Sequence, residues 1–267
     1  MSKKIGFIGG GMMAEGIIQG MVKNPYFKAE EIYVYDIVGA RVDYLAETYG
    51  LNPCKDTKTS VENADLVIFA VRPQDAAGVC AEVKPYLSSK TVLATICAGI
   101  LVENYAEWLG EEQKVVRIMP NTLTETKHGY SVIYPNAVTE EADLEILNQV
   151  LESIGQVMKI RQDMFDAFTA YSCAGPAYIL HFLSAMIDAG VRAGFSRKDA
   201  RALTLENLIG TSMKVSQTGK HPLDVLDLMT SPAGVTIEAV YRMNKTGMYA
   251  SVMDSVGVAV EKSTSLG

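Results

Sequence analysis

The chain of 267 residues is poor in the residue types that build metal centres, disulfide frameworks and nucleic-acid surfaces. Its four cysteines, Cys54, Cys80, Cys97 and Cys173, are scattered, with no C-x-x-C pair and no histidine at ligand spacing. That pattern argues against a zinc site or a stapled secreted fold, and it reads as reduced thiols in a cytoplasmic protein. The three histidines, His128, His181 and His221, also lie far apart, so no metal is expected. His181 falls in an otherwise apolar stretch, where a hydrogen-bonded core histidine is a plainer reading than a catalytic one. Cations are outnumbered, 24 Lys and Arg against 31 Asp and Glu, and no basic run occurs. Phosphate backbones need clustered Lys and Arg, so a nucleic-acid partner is disfavoured. No stretch of about 18 uncharged apolar residues lacks both glycine and polar breaks, so no membrane span is expected. The opening MSKKIGF enters a strand directly and has no signal-peptide core.

What is present begins at once. Ile5-Gly6-Phe7-Ile8-Gly9-Gly10-Gly11-Met12-Met13-Ala14 is a short apolar run leading into G-x-G-x-x-A and then helix-forming residues. A dinucleotide site needs that order: a tight turn at Gly9, bare backbone at Gly11 for the pyrophosphate, and a small residue at Ala14 for close helix–strand packing. The amides of Met12 and Met13, at the helix start, then face the phosphate charge. A second strand over 31–35 ends in Asp36, about 20 residues past the motif, where an acid grips the adenine ribose. The expected ligand is therefore a dinucleotide. Asp36 repels a 2′-phosphate and favours NADH, whereas Arg41 could reach toward such a phosphate.

The first half alternates strand and helix. Helices are expected at 13–23, 39–49, 60–64 and 140–153, and strands at 3–8, 66–71, 91–96, 114–119, 128–134 and 156–160. Repeated βα units imply a doubly wound sheet with right-handed crossovers, and ligands in such sheets sit beyond the carboxyl ends of the strands. Four loops meet that condition: Gly9-Gly10-Gly11-Met12, Ala70-Val71-Arg72-Pro73, Cys97-Ala98-Gly99 and Met119-Pro120-Asn121-Thr122. Past about Asp163 strand patterns vanish. The expected domains are a Rossmann-type dinucleotide-binding domain, 1–162, and an all-helical substrate-binding and dimerisation domain, 163–267. Helices are expected at 178–193, 197–218 and 247–265. The first is apolar almost all round, must be covered on every side, and so predicts a subunit interface.

A second informative stretch is Met229-Thr230-Ser231-Pro232-Ala233-Gly234-Val235-Thr236, ahead of a helix starting near Thr236. Free N–H groups of a helix start, with the hydroxyls of Ser231 and Thr236, suit a carboxylate, although an ordinary cap with a Ser-Pro turn has the same composition. No His, Lys, Asp or Glu occupies this loop or 172–176. Ketone reduction usually recruits a positioned acid for the forming alkoxide. An imine nitrogen can already carry its proton, so hydroxyl and backbone donors fit an imine better.

The chain resembles the pyrroline-5-carboxylate reductases over essentially its whole length. The resemblance is carried by Phe7 through Ala14, Phe69-Ala70-Val71-Arg72-Pro73-Gln74, Val116-Arg117-Ile118-Met119-Pro120-Asn121-Thr122, Gly175-Pro176-Ala177-Tyr178 and, most specifically, 222–244. It implies NAD(P)H-dependent reduction of 1-pyrroline-5-carboxylate to proline, commonly with NADPH. It also implies a homodimer with interlocked helical domains, or a ring of such dimers, each site borrowing the partner's loop. Thr236 would be the catalytic residue, with Ser231, Gly234, Val235, Thr236 and Asn121 on the substrate. Gly9, Gly11, Met12, Met13, Asp36, Ala70, Val71, Arg72, Pro73, Cys97, Ala98 and Gly99 would line the cofactor. Departures are Ala233 and Ala174 where the family has glycine and serine, Leu123 where it has proline, and Thr126-Lys127-His128-Gly129. They leave open a reductase of a related cyclic imine, or a silent dinucleotide-binding regulator. A β-hydroxyacid dehydrogenase would need a lysine in its first long second-half helix, and none occurs from Asp163 through Arg197.

Overall fold

The computed structural model describes residues 3–121, 123 and 126–265, so Met1 and Ser2 of the opening segment and Thr122 of the fourth loop lie outside the described residues. By contact density it divides into two units, 1–173 with 262–267, and Ala174–Glu261.

The first unit is built on a sheet whose strands alternate their side chains between two covered faces. Along β1 (Ile5–Ile8), Ile5 and Phe7 pack with one hydrophobic cluster and Ile8 with the other. β4 (Leu66–Phe69) repeats the pattern, Leu66 and Ile68 against Val67 and Phe69. This period of two, with both faces apolar, is why the runs are continuously hydrophobic rather than alternating. One face is covered by α1 (Met12–Val22), α2 (Gly39–Tyr49) and α6 (Glu145–Glu152), the other by α4 (Ala76–Val83) and α5 (Val102–Leu109). α3 (Thr57–Val61) starts earlier than its apolar pattern indicates, because Asp56 caps it by accepting the Thr59 N–H at 2.7 Å.

The remaining strands are β2 (Ile32–Tyr35), β3 (Asn52–Pro53), β5 (Val92–Thr95), β6 (Lys114–Pro120), β7 (Gly129–Pro135) and β8 (Gly155–Lys159). Their order is β3-β2-β1-β4-β5-β6-β7-β8. All neighbours pair in parallel except β6 and β7, which are antiparallel with Ile118 opposite Ile133. The segment between Pro120 and Gly129 is too short for a crossover helix, so the winding reverses there. Two elements go beyond the sequence expectation: β3, too short to show any period, and α5, which buries Val102, Tyr105 and Leu109 on one face. The unit continues through α7 (Phe165–Phe168) and a wide π-type turn, Thr169–Cys173.

The second unit opens with α8 (Gly175–Arg192), which turns at Gly194, φ +106°, into α9 (Arg197–Thr218). Ser196 caps α9 by accepting the Asp199 N–H, and Gly219 ends it at φ +61°. The two helices approach closely where a Cβ on Gly190 would lie 2.9 Å from the Ala200 Cβ. α10 (Pro222–Asp227), α11 (Val235–Lys245) and α12 (Met248–Thr264) follow.

No residue of α8, α11 or α12 is buried in the single chain, although Leu180, Val252, Met253 and Val258 are large and apolar. The core role expected for His181 is corrected: it is exposed, on a helix that this chain alone leaves uncovered. The run Gln162–Arg192 is long and apolar enough by composition to cross a membrane. Asp163, Asp166, His181, Asp188 and Arg192 interrupt it.

Candidate active site

Gly9 closes the β1–α1 turn at φ +94°, and its N–H donates to the Tyr35 carbonyl at 2.8 Å. A Cβ here would lie 2.3 Å from the Ala70 carbonyl oxygen, so the turn fits against the end of β4 only as glycine. Gly11 differs: at φ −62° and ψ −179° any residue could sit there, and nothing lies within 4 Å of its missing Cβ. Gly11 is exposed, and the space beside its missing Cβ is open. Gly11 caps α1 without a side-chain acceptor, so the first amides of the helix, from Met12 onward, face outward unpaired within the helix. Met12 is 90% exposed. Bare backbone and free N–H groups at a helix start fit a pyrophosphate.

Asp36 stands at the end of β2 and ties the glycine turn down. Its Oδ2 accepts the Gly10 N–H at 2.7 Å and its Oδ1 accepts the Val38 N–H at 2.9 Å. An ionised carboxylate has about four acceptor positions, so two remain for ribose hydroxyls. Arg41 is not poised toward a phosphate: its Nε donates to the Gly10 carbonyl at 2.5 Å, and its Nη2 pairs with Glu15 Oε2 at 2.5 Å.

The loops after β4 and β5 meet. Ala70 donates its N–H to the Ile8 carbonyl at 2.8 Å, and the Cys97 thiol donates to the Val71 carbonyl at 3.2 Å. Arg72 is exposed and paired with Asp75 at 2.7 Å, while Pro73 opens a short helical turn. Ala98 and Gly99 are exposed, Gly99 at φ +76°. Beneath them, Tyr105 and Thr95 share a 2.6 Å hydrogen bond, and the Thr95 hydroxyl accepts the Cys97 N–H. Sequence reasoning missed that support, although the spacing of Tyr105 on α5 was the available signal.

Asn121 is buried at 5% exposure and works inside the protein. Its Oδ1 accepts from the N–H groups of Leu123 and Tyr130, and its Nδ2 donates to the Ser172 hydroxyl at 3.3 Å. It thus holds the β6–β7 connection against the Thr169–Cys173 turn. Phe165 braces the same region, with the Arg117 guanidinium 4.3 Å from its ring centre. Burial pushes the Cys173 thiol up to about 11, and that of Cys80 up to about 12, so neither supplies a thiolate near neutral pH.

In the second unit the loop 228–234 turns through Ala233 at φ +55°, a left-handed position that costs a β-carbon residue about 1–2 kcal/mol. The Gly234 N–H donates to the Ser231 carbonyl at 3.0 Å, and a Cβ on Gly234 would lie 2.4 Å from the Ser231 hydroxyl. Gly234 then caps α11 with no side-chain acceptor, so the first α11 amides, including those of Val235 and Thr236, lack intrahelical acceptors. Val235 is 89% exposed and Thr236 half-buried. No titratable side chain occurs from Met229 to Thr236.

Residues 162–266 match the family described as pyrroline-5-carboxylate reductase dimerisation, and residues 4–99 match one described as NADP oxidoreductase coenzyme F420-dependent. The pyrroline-5-carboxylate reductase of Arabidopsis thaliana is 34% identical, over 99% of this chain and 96% of that protein. The chain belongs to the pyrroline-5-carboxylate reductase family. The family's Escherichia coli protein is 32% identical over 100% of this chain and 99% of its own. The pyrroline-5-carboxylate reductase structure from Coxiella burnetii superposes with a TM-score of 0.92 at 26% identity, covering 100% of this chain and 99% of that one. The Plasmodium falciparum pyrroline carboxylate reductase, solved with NADP bound, gives 0.87 at 30% identity, with 99% and 98% covered. Family membership explains the uncovered helices: the matched segment that contains α8, α9, α11 and α12 is a dimerisation domain.

Proposed function

We propose that this chain reduces 1-pyrroline-5-carboxylate to L-proline, taking hydride from NADPH or NADH. The carrying observation is the bare backbone at Gly11 with the free amides of the α1 start, within a chain that aligns end to end with named reductases of that substrate. When bound, the nicotinamide supplies the hydride; the chain's own task is to hold both partners and to stabilise charge.

Gly9, Gly11, Met12 and Met13 would hold the pyrophosphate through backbone, and Asp36 the adenine ribose. Ala70, Val71, Arg72 and Pro73, with Cys97, Ala98 and Gly99, would line the path toward the nicotinamide end. Ser231, Gly234, Val235 and Thr236 would hold the substrate carboxylate at the start of α11. The Thr236 hydroxyl would hydrogen-bond the ring nitrogen, and a nitrogen that already carries its proton needs no acid from the protein. Asn121 would contribute by fixing the loop edge beside the substrate rather than by donating to it, since its side chain is already committed.

By role, 1–162 would be the dinucleotide domain and 163–267 the substrate and dimerisation domain. The dimerisation match beginning at residue 162 supports that boundary. The functional form would be a homodimer, with rings of dimers as a further assembly, each site taking the Ser231–Thr236 segment from the partner. Four free cysteines suit a reducing compartment, and we assign the enzyme to the cytoplasm.

The test is direct. Purified protein with NADPH or NADH and 1-pyrroline-5-carboxylate should consume reduced cofactor and yield proline. Cofactor binding without turnover on this imine would refute the assignment, and turnover confined to a different cyclic imine would move it to that substrate.

A further inference from the structure

The cofactor reading above leaves open what sets the choice between a dinucleotide with and without a 2′-phosphate. A 2′-phosphate adds about 1.5–2 negative charges beside the ribose. The residue at that ribose is Asp36, itself an anion held against the glycine turn by the Gly10 and Val38 amides. A phosphate there needs a cation to offset both its own charge and that of Asp36.

Arg41 is the cation within reach of that corner, two residues into α2, and its charge is directed elsewhere. Its ion pair is with Glu15, in the first turn of α1, and not with Asp36. Its Nε is committed to the Gly10 carbonyl. Glu15 is in turn clamped: Oε1 accepts from the hydroxyls of Tyr44 at 3.1 Å and Tyr49 at 2.9 Å. The pair is only about a quarter exposed, 26% for Arg41 and 22% for Glu15, so solvent screens it incompletely. Neither partner swings freely, since four hydrogen bonds link Glu15, Arg41, Tyr44, Tyr49 and the Gly10 carbonyl.

We propose that Glu15 is a specificity-determining positioning residue: by holding Arg41 on α1 it withholds the cation a 2′-phosphate would need, and so biases the site toward the cofactor lacking that phosphate. The inference rests on the dinucleotide assignment of the Gly9–Met13 turn. Arg41, Glu15 and Asp36 carry charges of +1, −1 and −1, so the corner is negative while Glu15 is ionised. Arg41 holds the Glu15 carboxyl below the usual carboxylate range, with the two tyrosine hydroxyls helping, so it stays ionised at neutral pH.

The experiment is calorimetric titration of the full-length protein with NAD+, NADP+ and adenosine 2′-monophosphate, with no turnover involved. The parent protein should bind NAD+ more tightly than NADP+. Glu15→Gln keeps the shape and removes the charge. It should tighten NADP+ and adenosine 2′-monophosphate about fivefold to tenfold, the scale of one charge-assisted contact, and leave NAD+ within about twofold. Glu15→Gln combined with Arg41→Ala should return the ratio to the parent value. Arg41→Ala alone leaves Glu15 and Asp36 unneutralised and should weaken NADP+ further relative to NAD+, and Glu15→Ala serves if Glu15→Gln folds poorly. A purely structural role for Glu15 would weaken all three ligands together. That result overturns the proposal, as do a ratio unmoved by Glu15→Gln and a double variant that keeps the NADP+ gain of Glu15→Gln. Failure of the parent to bind either dinucleotide overturns the inference and the underlying assignment together.

Discussion

Two glycines of one motif should respond oppositely to the same substitution. Alanine at Gly9 must adopt φ +94° and place its Cβ 2.3 Å from the Ala70 carbonyl oxygen and 2.8 Å from the carbonyl carbon. The left-handed backbone alone costs about 1–2 kcal/mol. Relieving the overlap means separating the turn from the end of β4, which endangers the Gly9–Tyr35 and Ala70–Ile8 backbone hydrogen bonds, both 2.8 Å. Each is worth about 0.5–1.5 kcal/mol net, so the total is about 2–5 kcal/mol. At about 2–4 °C per kcal/mol for a unit of this size, Tm should fall by about 4–20 °C. Alanine at Gly11 meets nothing within 4 Å and takes an ordinary extended backbone, φ −62° and ψ −179°. Stability should hold or rise by about 0.4–1 kcal/mol, because the unfolded chain loses freedom. Its methyl group, however, fills the space assigned to the pyrophosphate, and overpacking of about 1–3 kcal/mol corresponds to a roughly fivefold to 150-fold weaker cofactor complex. Circular-dichroism melts and titration of NADPH fluorescence measure the two quantities on the same samples. Parent-like NADPH affinity in Gly11→Ala would refute the pyrophosphate placement, and a parent-like melt of Gly9→Ala would refute the close approach of turn and strand.

Thr236→Ala should lower the rate of imine reduction about tenfold to hundredfold, the loss of one transition-state hydrogen bond, with cofactor affinity within about twofold; unchanged turnover removes Thr236 from the chemistry. Leu180→Glu places a charge on the uncovered α8 surface, where Leu180 is 63% exposed in the single chain. Sedimentation should then show monomer where the parent sediments as a dimer or larger, and a parent-like profile would clear α8 of any role in the contact. Asp143 pairs with Lys114 at 2.6 Å, which holds its carboxyl below the usual range. The unfolded chain therefore takes up that proton first as pH falls. The contribution is full above the ordinary carboxylate range and lost as pH drops through the lowered folded value. Asp143→Asn should cost about 1 kcal/mol near pH 7, with the gap in urea stability closing below about pH 4. A gap that stays constant into strong acid refutes the ion-pair account.

Much of the fold was legible because its signals are local. The α2 bounds, 39–49, and the α9 bounds, 197–218, are read directly from periodicity and from the closing glycines, Gly50 and Gly219, which adopt φ +73° and +61°. Continuous apolar runs mark strands covered on both faces. The reversal at β7 was not legible, since strand direction depends on what the connection after Pro120 can span, not on any residue within the strand. His181 was misread because a single-chain pattern cannot say which chain covers a helix.

The amino-acid order by itself determined the glycine turn, the helical second half and the family, because backbone preference, hydrophobic period and motif identity act over a few residues. Tertiary structure alone decided that Asp36 anchors Gly10, that Asn121 is spent on Leu123, Tyr130 and Ser172, and that Arg41 faces Glu15. Those partners lie up to 51 positions apart, and which donor meets which acceptor is set only when helices and sheet have packed.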